Sequence, residues 1–433
     1  MSLAEIDSIV NARIDPQGPG VAVAVLRGGT VIHSKGYGVA QLEWGHAITP
    51  DTVFGIGSTT KPFTAAAILL LRAEGKLNLT DPITAYIPDY QTHGQTITLA
   101  HLLTHTSGIP NFVTQPGFWE YVAPHDHDHA QLRALFEEQP PHFMPGERYS
   151  YSNSAYCLLG MMIERASGLP YAEFIRERIF APLEMTHSHY LTSQAVIPRR
   201  AEGYAPTAGG YERARYMSTT LQYSAGALGS TIEDLARWDL ALREGRLLDA
   251  ATYAEATTPT TLIDGRTVGY GLGWGLSRYR GRHVIHHAGG VPGYSAFYGR
   301  FPDDDLSLIV LSNLGQFNAG GVAQAIADLL LDLPTPQRAP VALSRSALER
   351  MTGIYETPIG EALDITLRDG ALHVSGELNC DLISLSNTTC GAANDADTEL
   401  RFEADGPDGF ERVTVVVPFY WYTVTRQRTP PVA

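Results

Sequence analysis

Cysteine is scarce in this chain. Three residues in 433, Cys157, Cys380 and Cys390, are too few and too unevenly spaced for a disulfide framework, and none forms a C-x-x-C metal or redox pair. Cys157, inside an apolar run, reads as a small buried hydrophobe. Basic excess is absent too. With 31 Lys and Arg against 46 Asp and Glu, the net charge of −15 disfavours nucleic acid and anionic membrane surfaces, both of which require a cationic footprint. No apolar run approaches the ~20 residues of a membrane-spanning helix, and the opening MSLAEIDSIVNARI has neither the basic nor the apolar segment of a secretory leader. The chain as it stands is therefore expected to be cytoplasmic, with a periplasmic location open if a leader has been removed. A G-x-S-x-G elbow is missing as well, which excludes an α/β-hydrolase.

What is present is a folded composition, 44% hydrophobic and 18% charged, in a chain long enough for two or three domains. GVAVAVLRGGTVIHSKGYG reads as two strands joined across Arg27-Gly28-Gly29, preceded by an amphipathic helix over Leu3 to Ile14. Apolar positions recurring at three and four predict helices from Ser58 to about Gly75 and in TLAHLLTH, SNSAYCLLGMMIERASG, YAEFIRERIF and TIEDLARWDLALREG. From Tyr270 the rhythm shortens to YGLGWGL, HVIHHAGG, YSAFYGRF and LSLIVLSN, expected as strands, and a helix over about Ala319 to Leu331 closes the region. Strands at both ends with helices between them imply one sheet built from both ends of a domain, with a helical part inserted. The proline-rich LDLPTPQRAP reads as a linker. Beyond it, ALDITLRDGALHV alternates about Asp369-Gly370 and FERVTVVVPFYWYTVTRQ is β-rich, so the tail reads as a separate antiparallel β domain, a barrel.

Three stretches carry chemistry. In GIGSTTKPFTAAAILLL, Ser58 stands one helical turn before Lys61, and residues three apart share a helix face. A serine needs a neighbouring base to become a nucleophile, and a lysine serves only if burial disfavours its ammonium form. The plainer reading is a serine N-cap followed by a solvated lysine. GERYSYSNSAYCLLG places Tyr151 and Asn153 just before a helix, where they serve either as packing and cap or as proton carrier and carbonyl holder. HHAGGVPGYS sets His287 on a strand edge with small residues after it, so that a substrate backbone can approach and the Gly290 amide can donate to an oxyanion. His125, His127 and His129 in PHDHDHAQL are metal-type residues, but Asp126 or Asp128 is placed to cap the following helix, and no metal is expected there. His101 and His105, four apart, read as hydrogen-bonding within the fold.

Together these stretches resemble the penicillin-recognising serine hydrolases, the superfamily of serine β-lactamases, DD-peptidases, D-aminopeptidases and related esterases. The motifs S-x-x-K, Y-x-N and H-x-G stand in order as Ser58-Thr59-Thr60-Lys61, Tyr151-Ser152-Asn153 and His287-Ala288-Gly289. LLTHTSGIP, SAGALGSTIEDLARWD and GYGLGW look like the class C-like branch, and the tail resembles the lipocalin-like β domain that some members append. The resemblance implies an α+β, β-lactamase/transpeptidase-like fold: an antiparallel sheet flanked by helices, with a helical subdomain, over residues 1–335. A C-terminal antiparallel β-barrel would occupy 341–433. It further implies Ser58 as nucleophile, Lys61 as base, Tyr151 as proton relay, and Asn153, His287 and Gly289 as substrate-binding positions. The amides of Ser58 and Gly290 would form an oxyanion hole, and no cofactor is called for. The expected activity is acyl-enzyme hydrolysis of small amides, D-amino-acid peptides or esters. The alternatives are a carboxylesterase of the same fold, a weak β-lactamase or slowly acylated sensor without turnover, and a metal-dependent hydrolase. Expected partners are a small-molecule or short-peptide substrate, not nucleic acid or membrane, with a homo-oligomer left open. Where relatives carry Lys and Thr, His287 and Ala288 make a positive charge conditional on pH, with an imidazole titrating near ~6.5.

Overall fold

VAVAVLR alternates small and branched apolar residues, and all but its final arginine are buried, as expected of a strand covered on both faces. In the computed structural model, which describes residues 4–356, 362–376, 378–406, 409–417 and 419–426, this segment is an interior strand of a six-stranded sheet, next to its edge. The strands are β1 (Val21–Arg27), β2 (Thr30–Tyr37), β3 (Gly275–Tyr279), β4 (Arg282–Val291), β5 (Tyr294–Phe301) and β6 (Leu306–Ser312), in spatial order β3-β4-β5-β6-β1-β2. β1 is antiparallel to both neighbours, with Val23 opposite Val310 on β6 and Lys35 on β2. The expected hairpin across Gly28 and Gly29 forms, with φ of +60° and +75° at the two glycines.

Period-two alternation divides β1 between two layers. Ala22, Ala24 and Leu26 join the large helical core, to which Leu235, Trp238 and Leu242 of α4 (Ile232–Arg243) also belong. The opposite face is covered by α1 (Ala4–Asn11) and α5 (Ala319–Leu331). The helical part comes from the chain between β2 and β3, which also carries several short strands and α4, and its centre is α2 (Lys61–Ala73) with α3 (Asn153–Ser167) against it. α2 is apolar on every side because every side is covered: Lys61 through Leu69 are all buried, and Phe63 stacks on Trp238 with ring centroids 4.0 Å apart.

One expected strand is displaced. YGLGWGL is not a strand until Gly275. Gly273 has φ +83°, and a Cβ there would lie 2.5 Å from Ala65 Cβ; one at Gly271 would lie 2.2 Å from the Ala256 carbonyl oxygen. Gly273 serves close backbone passage over α2 and Gly271 close passage over the Ala256 carbonyl, and the strand starts only at Gly275.

The chain forms two compact units, residues 1–277 with 282–331, and 278–281 with 332–433. In the second, eight strands run in sequence from β7 (Gly353–Glu356) and β8 (Ala362–Arg368) through β9 (Ala371–Gly376), β10 (Cys380–Ser386) and β11 (Thr389–Ala392). They continue as β12 (Glu399–Gly406), β13 (Gly409–Val417) and β14 (Tyr420–Arg426), and β14 pairs with β7 to close an antiparallel barrel. Asp369 and Gly370 both take positive φ in the β8–β9 turn, the geometry that the Asp-Gly pair favours. Tyr355, Ile365, Val374, Leu400, Phe402 and Val413 are among the side chains of its core. Cys157, Cys380 and Cys390 are buried and free. Pro418 and residues from 427 onward, within the β-rich stretch expected from sequence, lie outside the described residues.

Candidate active site

Ser58 lies in a single 3-10 turn, Gly57–Thr60, that runs directly into α2, so Lys61 is the first α-helical residue and Pro62 occupies a position where a missing amide proton costs nothing. Gly57 has φ +50°, and a Cβ on it would sit 2.8 Å from the Gly290 amide nitrogen; a Cβ on Gly289 would sit 2.0 Å from the Ile56 carbonyl oxygen. Glycine at these positions lets the Ser58 turn press against β4. β4 is ten residues long and its neighbour β3 five, so β4 runs on past the end of β3 where the turn meets it.

Lys61 is fully buried, and its Nζ donates to three oxygens: Ser58 Oγ at 3.1 Å, Asn153 Oδ1 at 2.9 Å and the Ala225 carbonyl at 2.9 Å. The rings of Tyr151 and Tyr156 lie 4.7 and 5.4 Å from the same nitrogen. Burial among neutral groups lowers its pKa to about 7. The three acceptors are not equivalent. An amide oxygen and a carbonyl can only accept, whereas a serine hydroxyl can also donate. When the ammonium loses a proton, its two remaining N–H groups satisfy Asn153 and Ala225, and the lone pair is left facing Ser58.

Each acceptor is held by its own support. Asn153 opens α3 behind Ser152, whose hydroxyl caps the helix, and its amide donates to Asn111 Oδ1 at 3.1 Å. Ala225 follows a kink at Tyr223 (φ +36°, ψ −130°), a strained backbone for a non-glycine residue. The kink brings the Ser224 carbonyl onto Thr64 Oγ1 at 2.7 Å and the Ala225 carbonyl onto Lys61, while the Tyr223 hydroxyl donates to Glu164 at 2.7 Å. Tyr151 faces the site from the segment before α3, its ring 4.3 Å from that of His105 and 6.4 Å from that of His287.

His287 departs from the sequence expectation. Its Nδ1 donates to the Ala288 carbonyl oxygen at 2.7 Å, which leaves Nε2 to accept from the Tyr270 hydroxyl at 2.9 Å. Burial, with the Lys61 charge adding to it, lowers its pKa to about 3, so the imidazole is neutral throughout the ordinary pH range, and the titration expected near ~6.5 is corrected. Along β4 burial alternates, with His287 and Gly289 buried and Ala288 and Gly290 exposed.

The first two motifs are thus brought together around Lys61 Nζ, and the third meets them through the glycines of β4. Sequence reasoning missed the Ala225 carbonyl and the supporting Tyr156 and Tyr270; the small residues of SAG were the available signal for the first. In the histidine stretch Asp128 caps the helix His129–Ala134, and His127 Nδ1 meets the His125 carbonyl at 2.8 Å. Among the described residues no group of three or more His, Cys, Asp or Glu is placed to hold a metal ion. His101 lies in a capping box with Thr98, and His105 Nδ1 accepts from the Ser152 amide.

Comparison with known proteins gives a match to the Beta-lactamase family over residues 6–333. Penicillin-binding protein 4* of Bacillus subtilis (strain 168) is 29% identical over 400 residues, which span 84% of this chain and 86% of that protein. The D-amino acid amidase of Ochrobactrum anthropi SV3, solved with L-phenylalanine amide, superposes with a TM-score of 0.65 at 27% identity, covering 76% of this chain and 97% of the amidase. The octameric penicillin-binding protein homologue from Pyrococcus abyssi covers 98% of this chain and 100% of its own, with a TM-score of 0.68 at 24% identity, a likeness of fold.

Proposed function

The chain belongs to the beta-lactamase family, among penicillin-binding-like serine hydrolases, and from that premise we propose that it hydrolyses small amides, peptides containing D-amino acids, or esters through an acyl group carried on Ser58. The observation that carries the reading is the buried Lys61 amine, 3.1 Å from Ser58 Oγ and poised to lose its proton near neutrality. In the acylation step the Ser58 hydroxyl proton passes to the Lys61 amine as Oγ bonds to the substrate carbonyl carbon. The carbonyl oxygen becomes an oxyanion that accepts from the amides of Ser58 and Gly290, and Asn153 helps to hold the substrate. Collapse expels the amine or alcohol, which takes a proton relayed through Tyr151. A water molecule then repeats the attack on the acyl carbon, releases the carboxylic acid and restores the serine.

The third motif supports a preference within that class. A lysine there would offer a permanent cation to a substrate carboxylate; His287 is neutral and engaged within the protein at both ring nitrogens, and Ala288 presents a methyl group. Loss of a charge-assisted hydrogen bond costs ~1.5–3 kcal/mol, so uncharged esters and aminoacyl amides are the favoured substrates and β-lactams poor ones. Kinetics on D- and L-aminoacyl amides, short-chain esters and a chromogenic cephalosporin test this. The expected result is turnover of esters or D-aminoacyl amides with the cephalosporin slowest. A cephalosporin hydrolysed faster than every amide and ester would refute the preference, and a burst with no steady turnover would identify an acylated sensor instead.

A further inference from the structure

His105 contributes no group to the chemistry described above, yet it is fully buried, holds φ +57° and is surrounded by four tyrosine rings. Their centroids lie 5.9 Å (Tyr149), 4.3 Å (Tyr151), 4.9 Å (Tyr156) and 4.8 Å (Tyr270) from its own. Its polar contacts are more specific. The amides on either side of Tyr151 both donate to this one residue: the Ser150 N–H to the His105 carbonyl oxygen at 2.9 Å, and the Ser152 N–H to His105 Nδ1 at 3.1 Å. Because Nδ1 accepts, the ring proton resides on Nε2, which is buried with no hydrogen-bond partner among the described residues. A residue that keeps a left-handed backbone and an unsatisfied buried donor carries two local costs, and both are offset only if its remaining atoms are required where they are.

We propose that His105 is the positioning residue for Tyr151, clamping the peptide units before and after it and backing its ring, so that the phenol is held for proton transfer beside Lys61 and Ser58. The proposal rests on the reading of Ser58 as nucleophile and Tyr151 as relay. The clamp needs an acceptor at the δ position of residue 105. Asparagine supplies one, with Oδ1 where Nδ1 stands, and tolerates positive φ. Glutamine carries its oxygen one bond too far. Neutrality is part of the device, since Nδ1 cannot accept from Ser152 once protonated, and burial with the nearby Lys61 charge holds the His105 pKa well below the usual imidazole range.

The test is kcat/KM for release of p-nitroaniline from a D-aminoacyl p-nitroanilide by the full chain, a leaving group that must take a proton to depart, with fluorophosphonate labelling of Ser58 as a check on the nucleophile and thermal melting as a check on folding. His105→Ala is expected to slow this release by roughly ten- to a hundredfold, the scale of one lost buried hydrogen bond. His105→Asn is expected to recover most of that loss and His105→Gln little of it. In a Tyr151→Phe background the effect of His105→Ala should shrink to about threefold or less, because two residues acting through one phenol are not additive. A structural role alone would give equal losses in both backgrounds, and that result overturns the proposal. So does wild-type release of p-nitroaniline by His105→Ala, or Asn no better than Gln. If His105→Ala fails to fold, the contrast between Asn and Gln decides in the same way. An unmodified chain that the phosphonate does not label at Ser58 overturns the reading of the nucleophile itself, a result distinguishable from all of these.

Discussion

Replacing Asn153 by alanine removes the amide oxygen that accepts from Lys61 Nζ at 2.9 Å, and the consequence is readable as a pH midpoint. Burial has already brought Lys61 from 10.5 to about 7, a disfavouring of the ammonium worth about 5 kcal/mol at ~1.4 kcal/mol per pKa unit. A hydrogen bond from a charged donor is worth ~1.5–3 kcal/mol, so its loss lowers Lys61 by a further one to two units or so, to roughly pH 5 to 6. The amine is the active form. Acylation should therefore fall about tenfold per pH unit below a midpoint near 7 in the unmodified chain, and below a midpoint one to two units lower in Asn153→Ala. The assay is fluorophosphonate labelling of Ser58 from about pH 5 to 9, each variant normalised to its own alkaline plateau, so that any loss of substrate positioning cancels. At about pH 6 the unmodified chain should retain about a tenth of its plateau rate and the variant about half or more. A midpoint that stays near 7 or moves upward in the variant would refute the reasoning, as would an unmodified chain with no acidic limb.

The same burial has a cost in stability. A folded pKa below the unfolded value means that stability is lost as pH falls from about 10.5 to about 7 and is constant below, so Lys61→Met should gain ~2–3 kcal/mol more over the unmodified chain at about pH 6 than at about pH 9, measured by denaturant unfolding; an equal gain at both would contradict the buried-ammonium account. His287→Lys with Ala288→Thr should shift kcat/KM toward carboxylate-bearing substrates by roughly ten- to a hundredfold, whereas acidifying the unmodified protein from about pH 7 to 5 should not, because His287 stays neutral down to about 3; a gain on acidification would show the imidazole to be charged. A chain ending near Pro336 should keep a cooperative unfolding transition and phosphonate labelling at Ser58. An insoluble or non-cooperative product would mean that the proposed 1–335 and 341–433 division is wrong.

Local spacing made the centre of this site legible. Ser58 and Lys61 are one turn apart, and Tyr151 and Asn153 flank a capped helix start, so four side chains could be named without any long-range information. The Ala225 carbonyl could not, because a backbone oxygen leaves no residue signature and its direction depends on a kink at Tyr223 that no propensity favours. The His105 clamp joins residues 47 positions apart, and the neutrality of His287 follows from burial, which only the assembled fold provides. The barrel was legible through period-two alternation about Asp369-Gly370, whereas its closure by β7 on β14 pairs residues as distant as Tyr355 and Arg426. The glycines of YGLGWGL mislead for a physical reason: Gly273 serves close approach to α2 and Gly271 close approach to the Ala256 carbonyl, and a sequence pattern cannot distinguish a tight passage from an interrupted strand.

The claim that Ser58 carries the acyl group is tested most directly by quenching the full chain in acid during turnover of a slowly released ester and locating the added mass by peptide mass spectrometry. The account predicts the acyl mass on the peptide containing Ser58, its absence in Ser58→Ala, and a loss of turnover on the order of 10⁴-fold or more in that variant. Acylation at another residue, or near-normal hydrolysis by Ser58→Ala, would contradict it.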